Sequence, residues 1–112
     1  MKYSSIYGGN YELSFMRGEY QNNKSLAIQI MCQEEGEDFI EPFATLTVNL
    51  QNPPSEKNCA YVDTNNCPMD LIQMLEDAGY MTETDEVQFS GYCVYPLYRF
   101  NQSWLDLLKV MR

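Results

Sequence analysis

The chain has 112 residues, of which 16 are acidic, seven basic and none histidine, for a formal net charge of -9. A surface this negative repels DNA, RNA and anionic membranes and attracts basic surfaces, and the missing histidine removes both the usual proton shuttle near neutral pH and the commonest metal ligand. The length fits one domain, residues 1–112, and a hydrophobic share of 45% with 13% aromatic residues is enough for a core, so disorder is not expected.

No run approaches the roughly 18 apolar residues of a membrane span. The start, Met1-Lys2-Tyr3-Ser4-Ser5, lacks the apolar stretch of a signal peptide, so the expected compartment is the cytoplasm.

Residues 11–15 alternate, with Tyr11, Leu13 and Phe15 on one side and Glu12 and Ser14 on the other, which predicts a half-buried strand. A polar, turn-rich run over residues 18–24 comes next. Leu26, Ile28, Ile30 and Cys32 then share a face, and the two runs read as an antiparallel hairpin. Glu34-Glu35-Gly36-Glu37-Asp38 packs four carboxylates into five residues. Like charges so close resist compaction, and Gly36 frees the backbone, so an exposed loop is expected. Alternation returns from Phe43 to Leu50 as a single strand, which Asn52-Pro53-Pro54-Ser55 breaks because proline cannot donate to a ladder.

Ala60-Tyr61-Val62-Asp63 reads as a short strand and Asp63-Thr64-Asn65-Asn66 as a turn able to cap the next element. Pro68 suits a first helical turn, Leu71, Ile72, Leu75 and Ala78 recur at 3.6-residue spacing, and Gly79 stops the run. This predicts a helix over about 68–78 with Asp70, Glu76 and Asp77 on its wet side. Thr82-Glu83-Thr84-Asp85-Glu86 is expected as a second acidic loop. Residues 87–98 then read as strand, with Gly91 marking a bulge and Pro96 placing its far end on an edge. Asn101 caps a final helix, 102–111, with Trp104, Leu105, Leu108 and Met111 inward. The sum is an α+β single domain: an antiparallel sheet of about five strands with the two helices on one face.

Chemistry is poorly represented. General acid–base work needs one carboxyl desolvated and another solvated, but Glu34, Glu35, Glu37, Asp38, Glu83, Asp85 and Glu86 all sit in polar runs that water reaches. They do not follow the calcium-loop pattern. Nucleophilic catalysis needs a base, and none is visible. Cys67, just ahead of a helix, is the one cysteine whose pKa a helix dipole could lower; the plainer reading packs it under that helix. Cys32, Cys59, Cys67 and Cys93 form no C-x-x-C pair, and a reducing cytoplasm implies buried free thiols. A four-cysteine zinc site and a Cys59–Cys67 disulfide stay open. The basic residues are scattered, and Gly8-Gly9 is a turn with no helix after it. Nine tyrosines either cover the sheet, ring inward and hydroxyl outward, or form a protein-binding face.

Leu26-Ala27-Ile28-Gln29-Ile30, Pro42-Phe43-Ala44-Thr45-Leu46-Thr47-Val48-Asn49-Leu50, the stretch from Ala60 to Pro68, and Ser90-Gly91-Tyr92-Cys93-Val94-Tyr95-Pro96 occur in that order. Over roughly residues 25–100 the chain resembles a family of small uncharacterised proteins carried by conjugative elements and phages of Gram-positive gut and oral bacteria. The resemblance implies a mobile-element accessory protein that acts in the host cytoplasm and carries no catalytic motif. It suggests an anti-defence factor of the anti-CRISPR type, which would bind and inhibit a nuclease such as an RNA-guided CRISPR effector by occupying its nucleic-acid channel.

The expected partner is therefore a protein with a basic nucleic-acid-binding surface. The seven carboxylates named above would be the contacts, standing in water on one side of the domain. No enzyme activity, cofactor, metal, direct nucleic-acid contact or membrane contact is expected, and the protein is a monomer or homodimer. The alternative is a non-catalytic regulatory or structural binding module of such an element, its charge serving only solubility.

Overall fold

The computed structural model describes residues 1–111. In chain order the elements are β1 (Lys2–Ser4), β2 (Asn10–Glu19), β3 (Leu26–Glu34), β4 (Glu41–Thr45), β5 (Thr47–Val48), β6 (Cys59–Val62), α1 (Met69–Asp77), β7 (Met81–Ser90), β8 (Cys93–Phe100), α2 (Gln102–Leu107) and β9 (Lys109–Val110). The class is α+β and mostly sheet. The strands divide into two sheets rather than the one expected: β1-β2-β3-β4 with β9 beside β2, and β5-β6-β8-β7.

The division is made at Leu46. The predicted strand from Phe43 to Leu50 starts against β3, with Thr45 opposite Gln29, and ends against β6, with Thr47 opposite Val62. Between them Leu46 bends, fully buried; its N–H donates to the Ile28 carbonyl and its own carbonyl accepts from Asp63 N–H, both at 2.9 Å. The Thr47 hydroxyl accepts the Ile28 N–H that the bend would otherwise leave unpaired. In the sequence the apolar alternation of Ala44, Leu46, Val48 and Leu50 runs through the bend, so period alone does not reveal it.

The predicted β2–β3 hairpin is present, in unbroken register from Tyr11 opposite Glu34 to Glu19 opposite Leu26. Helix α1 starts one residue after Pro68 and buries Leu71, Ile72 and Leu75. Ala78 lies outside it and is exposed, and Asp70 is not on a wet face: its carboxylate accepts the Tyr3 hydroxyl at 2.9 and 3.1 Å. The turn over residues 63–66 closes on itself through Asn66 and Asp63, and no side chain caps α1.

The terminal helix is shorter than predicted. Asn101 caps it as expected, its Oδ1 accepting from Ser103 and Trp104 N–H, but α2 ends at Leu107. Leu108 is extended, and Lys109 and Val110 pair in parallel with Met16 and Arg17. Strand β1 leaves β2 after Glu12, so the rest of that edge offers unpaired backbone groups that extended chain can satisfy and helix cannot. Both helices contribute to one core between the sheets. At its centre Trp104 stacks on Tyr80 (4.9 Å between ring centroids) and on Phe100 (6.1 Å), while Phe15 meets it edge-on at 5.5 Å. Such pairs each contribute about 0.5–1.5 kcal/mol beyond simple burial.

The late strand also departs from expectation. Residues 87–98 are not one strand with a bulge at Gly91; the chain reverses there through the two-residue loop Gly91-Tyr92, with Ser90 opposite Cys93. Gly91, at φ 60°, occupies the position where a tight hairpin turn of this kind requires glycine. The bulge lies earlier, between Glu83 and Val87. Pro96 sits in β8, which is central at its other end; pairing to β6 begins only at Leu97. Phe100 directs its N–H toward Asn58 on the β6 side, so strand alternation aims the nitrogen of Pro96 to that side, where no strand is paired. The edge is thus the early half of β8, not its far end.

Candidate interaction surface

All seven carboxylates singled out from the sequence are exposed. They occupy two different settings. Glu34 ends β3, and Glu35, Gly36, Glu37 and Asp38 continue as the expected turn. Glu37 N–H donates to the Glu34 carbonyl at 3.0 Å, Glu35 N–H to the Asn10 carbonyl at 2.9 Å, and Gly36 takes φ 87°, a left-handed conformation that uses the backbone freedom expected of it. Asn10 Nδ2 donates to Glu35 Oε2 at 3.1 Å, which orients that carboxylate without neutralising it. Beside the turn lies an open cleft of about 540 Å³, with Lys2, Tyr3 and Tyr11 on its other wall.

Glu83, Asp85 and Glu86 are not in a loop. They lie in β7, the outer strand of the second sheet, with Glu83 opposite Tyr98 and the other two in the bulge. Thr84 makes the bulge possible. Its hydroxyl donates to the Leu97 carbonyl at 2.8 Å and accepts Glu86 N–H at 3.1 Å, replacing ladder bonds that the irregular register removes. The two carboxylate groups thus sit on different sheets, and no hydrogen bond or ion pair among the described residues joins them.

Neither group is paired with a cation among the described residues. The ion pairs among the described residues are the N-terminal amine with Glu12 at 3.5 Å and Arg99 with Glu56 at 2.8 Å; none of the seven takes part. The Glu56 carboxyl is held below its ordinary range by the Arg99 guanidinium and by the Cys59 thiol that donates to it.

The cysteines are free and apart. Burial, reinforced by the Asp63 charge, pushes the Cys67 thiol up to about 12, and its hydrogen goes to the Thr45 carbonyl at 3.3 Å. Desolvation therefore outweighs the helix end, and Cys67 packs under α1 as an inert thiol. Cys59 is pushed up to about 11 by burial and by Glu56, and the Cys59–Cys67 disulfide left open by the sequence is not formed. Among the described residues no three His, Cys, Asp or Glu side chains gather as a metal-binding set, and no helix is long and apolar enough to cross a membrane.

The tyrosines divide between the two roles considered for them. Tyr3 and Tyr98 are buried, and both hydroxyls are pushed upward, first by burial and then by acidic neighbours: Asp70 beside Tyr3, Glu76 and Glu83 beside Tyr98. Tyr7 and Tyr92 stand free in solvent. Tyr92 caps the β7–β8 hairpin, whose tip also exposes Val87, Phe89 and Val94. Sequence reasoning named Tyr92 among the tyrosines that could bind a protein and passed over Val87, Phe89 and Val94. The available signal was Ser90-Gly91-Tyr92-Cys93, a glycine opening a two-residue turn between alternating runs.

Fold and surface together define a small acidic two-sheet α+β domain with exposed carboxylates, unpaired among the described residues, and three buried thiols beside the partly exposed Cys93. The chain belongs to the family described as a domain of unknown function (DUF4313), which it matches over residues 15–111. No curated protein and no solved structure matches it.

Proposed function

We propose that this domain is a non-catalytic inhibitor that acts in a host cell. It binds the basic nucleic-acid surface of a defence nuclease, and an RNA-guided CRISPR effector is the first target to try. The observation that carries the reading is the exposure of Glu34, Glu35, Glu37, Asp38, Glu83, Asp85 and Glu86 with no cation paired to any of them among the described residues. Carboxylates held on a strand and a tight turn lose little freedom on docking, and a groove lined with Lys and Arg supplies the opposite potential. The resemblance to proteins of conjugative elements and phages supplies the class of target.

The test is inhibition of guide-loaded nucleases by the full chain, with the seven carboxylates reversed to lysine in two sets. Each reversal is expected to slow association and raise the inhibitory concentration about tenfold or more at low salt. Full inhibition after reversal of both sets would sink the mechanism.

A second reading rests on the bare apolar hairpin tip at Val87, Phe89 and Tyr92. On this reading the domain is a regulatory or structural binding module of a phage or conjugative element, with no nuclease target. A stable homodimer in light scattering at micromolar concentration, with no nuclease affinity, would favour it.

A further inference from the structure

The outer half of the β7–β8 hairpin has two unlike faces. Cross-strand partners share a face, so the pairs Val87–Pro96 and Phe89–Val94 point one way, and Gln88–Tyr95 and Ser90–Cys93 the other. The second face is covered. Gln88 exchanges hydrogen bonds of 3.1 and 2.8 Å with the backbone of Asn52, and Tyr95 packs on the small cluster of Leu50, Cys59, Tyr61 and Leu97.

The first face is bare, with Val87 50% exposed, Phe89 71% and Val94 42%, and Tyr92 extends it at the turn. This is the core-facing side of the sheet carried outward. Along β8 the residues Phe100, Tyr98, Pro96 and Val94 alternate onto it, and burial falls from complete at Phe100 to slight at Val94. Helix α1 covers the inner end, where Glu76 lies beside Tyr98, and among the described residues none covers the outer end.

What the face would accept is decided by charge. Glu76 and Glu83 lie at its base, Asp85 and Glu86 precede Val87 in the bulge, and residues 83–98 contain no lysine or arginine. A second copy on this face would bring the same carboxylates together from two chains of charge -9 each, and like charges across an interface oppose binding. The outer edge of β7 is guarded against strand addition by its own Glu83, Asp85 and Glu86 and by the bulge.

We propose that the hairpin is the anchoring contact of the inhibitor described above: the bare face of Val87, Phe89, Val94 and Pro96, with Tyr92 at its tip, seats against an apolar patch ringed by lysine and arginine on a partner protein. This rests on the inhibitor reading and adds a division of labour to it. The carboxylates speed encounter, and the apolar centre holds the complex once formed.

The test uses the full chain and two variants, Phe89→Ser with Val94→Thr, and Glu83→Gln with Asp85→Asn and Glu86→Gln. Both alter exposed side chains, and unchanged circular dichroism and melting temperature confirm that the fold is kept. A random peptide display library is selected on the immobilised wild-type chain. Enriched peptides are expected to carry aromatic or aliphatic residues flanked by lysine or arginine. Their affinity is expected to fall about tenfold or more for the Phe89/Val94 variant and to lose salt dependence for the amide variant. No enrichment, peptides without basic residues, or peptides indifferent to Phe89 and Val94 would overturn the proposal. So would a micromolar dimer that the Phe89/Val94 variant dissolves, because the face would then belong to a second copy. The nuclease assay separates the two readings. Arm-dependent peptides without inhibition of any nuclease remove the inhibitor and leave the arm. Inhibition that is equally strong with the Phe89/Val94 variant removes the arm and leaves the inhibitor.

Discussion

Residues 34–38 and residues 82–86 each crowd carboxylates into five positions, yet the first forms a turn and the second a strand. The difference lies in what separates the acids. In the first run it is Gly36, which adopts φ 87° and lets the chain reverse. In the second it is Thr84, which like Thr82 at the start of the run is a β-branched residue suited to extended chain, and which ties the strand to Leu97 with its hydroxyl. Flanks matter as much. Met81, 1% exposed and opposite Phe100, fixes one end of the second run in the core, whereas the first run leads out to exposed Phe39 and Ile40. A high local charge density therefore forecasts exposure reliably and forecasts loop poorly, because a strand with one wet side tolerates charge as well as a turn does.

The largest effect should come from cutting the anchor of the strand segment. Phe100→Ala removes a fully buried ring from the Trp104 stack and is expected to cost about 3–5 kcal/mol in urea unfolding. In native-state hydrogen exchange the amides of residues 82–86 should lose protection while those of Gly36 and Asp38, in the exposed turn, change little. Equal changes in both runs would break the contrast.

Alkali should act on both sheets together. The Tyr3 hydroxyl, in the first sheet, is raised from its ordinary 10.0 to about 12 by burial and by Asp70, and the thiols of Cys59 and Cys67 rise from 9.0 to about 11 and about 12. In each case the folded chain keeps a proton that the unfolded chain releases. Stability is therefore fully present below pH 9 and is lost as pH climbs through 11 to 12. Thermal melts from pH 8 upward, under reducing conditions, should show a falling midpoint from about pH 9. A midpoint that rises over that range would contradict the burial of these groups. Thiol titration at pH 8 should label the half-exposed Cys93 ahead of the other three.

The smallest effect sharpens the likeness between the two runs. Neutralising Glu35, Glu37 and Asp38, or alternatively Glu83, Asp85 and Glu86, to their amides should change stability by less than about 0.5 kcal/mol per set. The change should be slightly stabilising at low salt, because repulsion within a chain of charge -9 is relieved, and it should vanish in high salt. A marked loss from either set would mean that those carboxylates hold a partner within the fold.

Much of the local structure was legible. The alternation at Tyr11, Leu13 and Phe15 and at Leu26, Ile28, Ile30 and Cys32, the helix ahead of Gly79, the Asn101 cap and the Gly36 turn all follow from a residue's chemistry and its near neighbours. The candidate surface was half legible: the exposure of all seven carboxylates was foreseen, their placement on two sheets was not. The hairpin arm was missed because Gly91 fits a bulge and a tight turn equally well when read alone.

Composition and short-range pattern by themselves determined an acidic surface, a core of sufficient size, the α+β class and some of the turns, that at Gly36 among them. Tertiary structure decided the rest. It set the change of sheet at Leu46, the conversion of residues 109–110 from helix to strand, the loss of any activating effect on Cys67 and the bare face of the hairpin. The reason is common to all four. Each depends on where segments distant in the chain are placed, which leaves some backbone edges or apolar faces open and buries other groups such as the Cys67 thiol, and that placement has no counterpart in the spacing of residues along the chain.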